Sequence, residues 1–309
     1  NIGDYKDSSA WDPIIEAFNA VYPNVTVKIQ SVTYQDGDQQ LANQITGGSA
    51  PDIVFEGPER IISNYAKQGL LVSLSDLWEA NGADISDGIA EVSQLDGTYY
   101  MFPLAVAAHC MAINYEAFEA AGALQYIDEE TRTWTTDDFV AACQALKDAM
   151  DAGTITMAET GIIYCGAQGG DQGTRALVNN LYSDYFVTDD GSSYNINSAN
   201  NVKALQLLQD MVNNGTMGVS TSYAAAEELQ AFANGTCAMT FAWNYSNYVS
   251  YAEQTQFTPF AMAFPSDDGV PELEMAGPYG LCVFDNKDQA RIDAAKAFVD
   301  FVCNDQTAG

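Results

Sequence analysis

Short apolar runs alternate along this chain with amphipathic helices opened by a proline or a capping side chain, an order that restricts it to an α/β fold. Residues 2–5 read as the end of a strand. Asp12 as N-cap and Pro13 in the first turn then open a helix with Trp11, Ile14, Ile15 and Phe18 on its apolar face, which Pro23 stops before a strand over 25–32. A second short helix spans 41–45, a short buried strand 52–55, and Pro58 opens a helix carrying Ile61, Ile62 and Tyr65 that Gly69 ends. Strands separated by helices predict mainly parallel sheets.

From residue 97 to 108 the pattern becomes extended, an apolar strand covers 110–115, and a helix begins near Glu116. Thr135 and Asp138 form a capping-box pair for a long helix with Phe139, Val140, Cys143, Leu146 and Met150 on its inner face, ending at Gly153. Helices over 199–214 and 224–234 lead into a strand over 237–243. Further strands cover 258–264 and 281–284, and an amphipathic helix over 289–303 is built on Ile292, Ala295, Phe298, Val299 and Val302. At 309 residues the chain is long enough for two domains with separate cores. Trp11 and Trp134 fall on helix faces or starts and are expected in those cores.

Forty-two acidic against eleven basic residues give a net charge of −31, which repels phosphate backbones and removes nucleic acid from the expected partners. No stretch approaches the roughly 20 apolar residues that a membrane span needs. The six cysteines form no C-x-x-C and mostly sit in apolar runs, so free buried thiols are expected rather than a zinc or redox site. His109 is the one histidine, and neither H-E-x-x-H, G-x-S-x-G, a Walker loop nor a G-x-G-x-x-G after a strand occurs. Asp189 with Asp190 and Asp267 with Asp268 stand beside Gly191 and Gly269, as in solvated turns. No catalytic residue, metal ligand or cofactor motif emerges, although a carboxylate pair assembled by folding alone stays open.

The segment PDIVFEGPERIISNYAKQGLLVSLSDL at 51–77 closely resembles a P-D-[IV]-x…Y-x-x-x-G-L-L-x-x-L stretch of extracellular solute-binding proteins of bacterial ABC sugar importers, the family related to maltose-binding protein. LDGTYYMFPLAVAAHCMAINYEAFEAAG at 95–122, TWTTDDFVAACQAL at 133–146 and AFANGTCAMTFAW at 231–243 are similar to later landmarks of that family. FAMAFPSDDG at 260–269, AGPYGLCVF at 276–284 and AAKAFVDFVCND at 294–305 follow in the same order. The resemblance implies an α/β, two-lobed periplasmic-binding-protein-like fold of type II with crossing hinge segments. Residues 1–107, completed by 260–309, would form the N-terminal lobe and 108–259 the C-terminal lobe. Family members carry a longer first strand and further helices after the last one here, so the second lobe is expected to lack its final helices.

The family further implies a monomer that traps a carbohydrate in the interlobe cleft and hands it to an ABC transporter membrane permease, with neither enzyme activity nor a cofactor. Its location would be the surface of a Gram-positive bacterium as a lipoprotein, or the periplasm of a Gram-negative one. Ligands of open α/β sheets lie beyond the carboxyl ends of strands, which selects Tyr5, Asp7, Tyr34, Glu56, His109, Gln168 and the Trp243 to Tyr245 stretch. Trp243 stands where the family motif places a stacking aromatic; Asn244 and Tyr245 would bond ring hydroxyls, and Glu56 would grip vicinal hydroxyls. His109 faces either the cleft or the hinge. Asp171 joins Gln168 in a glycine-rich loop, and Tyr279 lies in the Gly277 to Gly280 stretch that lines a cleft wall. Two other readings remain: a binder of a cationic solute such as a polyamine, and a carbohydrate-active enzyme.

Overall fold

The structure, a computed structural model, describes residues 11–32, 34–166, 171–188, 192–271 and 275–304, with the side chains of all of these except 34–36, 275 and 276. The chain divides into two units, Asn1–Ala107 with Gly277–Gly309, and Ala108–Ala276. In the first unit, α1 (Asp12–Val21) is capped by Trp11, one residue before the expected cap, and buries Phe18. Residues 25–31 carry no strand ladder; Val25 and Val27 instead lie against the core around Phe18 and Phe298. The helix α2 (Tyr34–Thr46) is longer than the 41–45 segment the sequence suggests.

The apolar run after Asp52 forms β1 (Ile53–Glu56). Pro58 opens α3 (Pro58–Arg60), which continues as a π-helical turn over Ile61–Ala66. Gly69 then adopts φ +68°, a left-handed conformation that costs glycine little. Two short helices missed in the sequence, α4 (Ser75–Asn81) and α5 (Asp87–Val92), precede the hairpin of β2 (Gln94–Leu95) and β3 (Thr98–Tyr99). Its turn residues Asp96 and Gly97 have φ 50° and 79°, as a two-residue turn between twisted strands requires. The long strand β4 (Phe102–Asn114) begins in this unit and ends in the other.

In the second unit, the Asn114 side chain accepts from Ala117 N and caps α6 (Tyr115–Ala120). Thr135 and Asp138 close the expected capping box over α7 (Thr136–Asp151), with Thr135 Oγ1 accepting from Asp138 N at 3.1 Å. The unit continues through β5 (Ile162–Tyr164), α8 (Gln172–Leu181), α9 (Ala199–Asn213) and β6 (Gly218–Ser220). It then passes through α10 (Ala225–Ala233), β7 (Met239–Trp243), α11 (Tyr245–Ser250) and β8 (Pro259–Met262). Strands β7 and β8 flank β4, both antiparallel, while β5 and β6 pair in parallel. Met111, Ile113, Phe139, Phe241 and Phe264 form the core on one face of β4; Ala112, Phe232 and Trp243 form a smaller one on the other.

Residues 260–276 stay with the second unit, a correction to the expected return at 260. Ile113 pairs with Phe260, and Trp134 Nε1 donates to Ala263 O at 2.9 Å. The returning strand β9 (Met275–Val283) runs antiparallel to β1, with Ile53 opposite Val283 and Glu56 opposite Gly280. The last helix, α12 (Gln289–Asn304), sets the Phe298 ring edge-on to Phe18 at 5.0 Å. The α/β order of the sequence is present, but the described sheets are not mainly parallel: β1 with β9, β2 with β3, β4 with β7 and β4 with β8 pair antiparallel, and β5 with β6 pairs in parallel. Alternation predicts parallel pairing only where consecutive strands are neighbours. The neighbour of β1 is instead a strand that returns after the whole second unit, and its point of re-entry sets its direction. None of the six cysteines forms a disulfide.

Gly173, in α8, marks a close helix-to-strand approach: a Cβ there would lie 2.6 Å from both Phe241 O and Tyr164 Oη. Alanine in a helix interior ordinarily adds up to about 1 kcal/mol over glycine. At this position the overpacking of a fixed backbone oxygen should outweigh it, so Gly173→Ala is expected to lower stability by roughly 1–3 kcal/mol, read from urea midpoints. A stabilised variant would show that α8 sits less tightly on β7.

Candidate functional site

In the first unit, Glu56 ends β1 and is only 3% exposed. Its Oε1 accepts from Gly57 N at 2.9 Å and lies 3.4 Å from Arg60 Nη1, one turn along the helix that Pro58 starts. Its Oε2 is buried with no hydrogen-bond partner among the described residues. Burial pushes this carboxyl above its ordinary range, against the opposing pull of the Gly57 N–H and the Arg60 charge. Arg60 is held by a fork-like pair of bonds to Asp38, Nε to Oδ1 at 2.6 Å and Nη2 to Oδ2 at 3.1 Å, with Glu59 at 3.6 Å. One guanidinium therefore faces three carboxylates.

Tyr279 belongs to the opposite face of the same sheet. Glu56 stands opposite Gly280, so its face is that of Val54 and Cys282; the Tyr279 ring lies 6.0 Å from Phe55 on the other side. Glu56 and Tyr279 thus do not share a surface. Tyr34 opens α2, but its side chain is outside the described residues, as are Tyr5, Asp7 and Gln168 entirely.

In the second unit, Trp243 is corrected from a presented ring to a core side chain, 3% exposed. Its edge-to-face partner is Phe232 at 5.4 Å, and Tyr251 stacks beside it at 6.4 Å. The cause is a bulge. Ala112 pairs with Thr240 and Cys110 with Trp243, so two steps along β4 match three along β7. The extra residue moves Trp243 off the face of Met239 and Phe241 and onto that of Cys110 and Thr240, under α10. Nothing in the run AMTFAW marks the extra residue.

Just beyond, Asn244 Oδ1 accepts from Asn247 N at 2.8 Å, so this side chain caps α11. The aromatic surface lies one residue further on. Tyr245 is 79% and Tyr248 50% exposed, and their rings stack at 6.4 Å with 26° between planes, one helical turn apart. The sequence reading does not single out Tyr248, although its i, i+3 spacing from Tyr245 is the available signal.

His109, on β4, is half-buried with Gln172 Nε2 3.0 Å from its Nδ1, and burial holds its pKa below the ordinary value. Asp171, the residue before α8, lies 3.6 Å from Arg175. His109 and Asp171 therefore approach the same helix start, with Gln172 as the link the sequence did not single out. Among the described residues no group of three or more His, Cys, Asp or Glu side chains is arranged to hold a metal ion.

The sequence model described as bacterial extracellular solute-binding protein matches residues 3–308. The arabinooligosaccharide-binding protein of Bacillus subtilis is 26% identical over 211 residues, 66% of this chain and 44% of that protein. A binding protein of Brucella abortus is 29% identical over 119 residues, 38% of this chain and 28% of its own length. The chain thus spans less than half of these curated relatives. A solved ABC substrate-binding protein of Listeria monocytogenes, in complex with cycloalternan, superposes with a TM-score of 0.73 at 21% identity, over 97% of this chain and 74% of that one. That likeness establishes the fold.

Proposed function

The chain belongs to the bacterial extracellular solute-binding protein family, and we propose that it binds a carbohydrate reversibly and delivers it to the membrane permease of an ABC importer. The observation that carries this reading is the exposed, stacked pair of Tyr245 and Tyr248 directly after β7. Sugars present apolar C–H faces, which suit an aromatic plane, and hydroxyls, which suit carboxylates and amides. Glu56, with one buried oxygen lacking a partner among the described residues, is the hydroxyl-binding group of the first unit. A relative that binds arabinooligosaccharide and a structural neighbour holding cycloalternan support an oligosaccharide as the ligand class.

Binding proceeds without covalent chemistry, by a monomer located outside the cytoplasmic membrane, as a surface lipoprotein in a Gram-positive cell or in a Gram-negative periplasm. A net charge of −31 supports the absence of nucleic-acid partners. The test is thermal unfolding against maltotriose, arabinotriose and chitotriose, since a ligand of the folded state alone raises Tm with concentration. Tyr245→Ala should weaken the responding sugar about tenfold or more, as truncation of an aromatic anchor does, while leaving Tm nearly unchanged because the ring is exposed. Unchanged affinity in calorimetry removes Tyr245 from the site.

A second reading is favoured by the three carboxylates around Arg60: a cationic solute such as a polyamine. Affinity for spermidine that falls steeply with added salt, together with no response to sugars, would select it.

A further inference from the structure

His109, Met111 and Ile113 alternate along β4 and so share a face, the one whose core includes Leu177 and Leu181 of α8. The start of that helix is firmly anchored. Gly173 N donates to Tyr164 Oη at 3.0 Å; Thr174 Oγ1 accepts from Tyr164 N and donates to Tyr164 O, both at 2.8 Å. From this anchored turn the Gln172 side chain places Nε2 3.0 Å from His109 Nδ1. An amide nitrogen has only hydrogens to give, so Nδ1 is the lone-pair side of the imidazole, and the single proton of the neutral ring sits on Nε2.

The titratable and charged groups on the packed elements do not compete for this arrangement. Asp171 and Arg175 pair with each other, and the Tyr164 hydroxyl is bonded to Gly173 N. Nε2 has no partner among the described residues.

The geometry points to Gln172 as a positioning residue that holds His109 in its Nε2–H form, so that the ring offers a ligand oxygen one neutral N–H donor. The ligand half of this rests on the carbohydrate reading above. Burial holds the ring's pKa below its ordinary value and so favours the neutral form; protonation would set an Nδ1–H against the amide hydrogens and break the pair.

Because the chain has one histidine, long-range proton–nitrogen correlation of the ¹⁵N-labelled protein reads the tautomer without assignment. The wild type at pH 8 should show its protonated ring nitrogen at Nε2. Gln172→Glu substitutes an acceptor for the donor and should move the proton to Nδ1. With whichever of the three trisaccharides raises Tm, its affinity by calorimetry should fall about tenfold, as loss of one neutral hydrogen bond does. A wild-type Nδ1–H form overturns the assignment, and that spectrum suffices even if the variant does not fold. A reversed tautomer with unchanged affinity overturns the ligand role of His109 and leaves sugar binding standing. The expected tautomers with no response to any sugar support Gln172 as the positioning residue and reject the carbohydrate reading.

Discussion

Glu228→Gln is expected to make the protein markedly more stable in mild alkali. Glu228 lies in α10, fully buried, with Oε1 accepting from Phe241 N at 3.0 Å and Oε2 2.7 Å from Thr240 Oγ1. No cation partners it among the described residues, and burial pushes its carboxyl up from 4.5 to about 8 against the pull of those two bonds. The folded state therefore keeps a proton that the unfolded chain releases above pH 4.5. Stability is complete below that value and falls by roughly 1.4 kcal/mol per pH unit until the folded carboxyl ionises near pH 8. The accumulated loss is on the order of 5 kcal/mol, comparable to the whole stability of many domains.

Glutamine reproduces the protonated acid: its carbonyl accepts from Phe241 N and its amide donates to Thr240 Oγ1. Urea unfolding at pH 5, 7 and 9 should show the wild type weakening with pH relative to the variant. Parallel curves would mean that Glu228 is ionised and paired in solution.

Trp243→Ala is the second large effect, and its sign separates a core residue from a ligand platform. The variant removes an indole that packs on Phe232 and Tyr251, and the expected loss is about 3–5 kcal/mol of stability. Trp243→Phe should recover part of it. For protein that remains folded, affinity for the responding sugar should change far less than in Tyr245→Ala. The opposite pattern, intact stability with lost binding, would return Trp243 to the ligand surface. Denaturant midpoints and calorimetry on the same samples give both readings.

These two residues show where local reasoning ended. The strand ending at Trp243 and the helix containing Glu228 were both legible, since apolar runs and helical spacing are local properties. Which face Trp243 occupies was not, because it depends on a bulge defined by pairing with Cys110 and Ala112, more than a hundred residues earlier. Among the site candidates, Glu56 and Tyr279 are seen to occupy opposite faces only through the β1–β9 register. Asn244 read as a hydrogen-bonding residue and is one, but its partner is the backbone of its own helix.

The sequence alone determined several helix limits, such as the capping box that opens α7, the presence of enough apolar chain for two cores, and the family. Capping side chains, prolines and apolar periodicity act over a few residues, and the ordered landmarks run nearly end to end. Tertiary structure alone decided strand direction, the face that Trp243 occupies and the proton on His109. A face, a burial and a tautomer each belong to a pair of segments, as with Gln172 and His109, 63 residues apart. No local pattern encodes a partner that arrives only on folding.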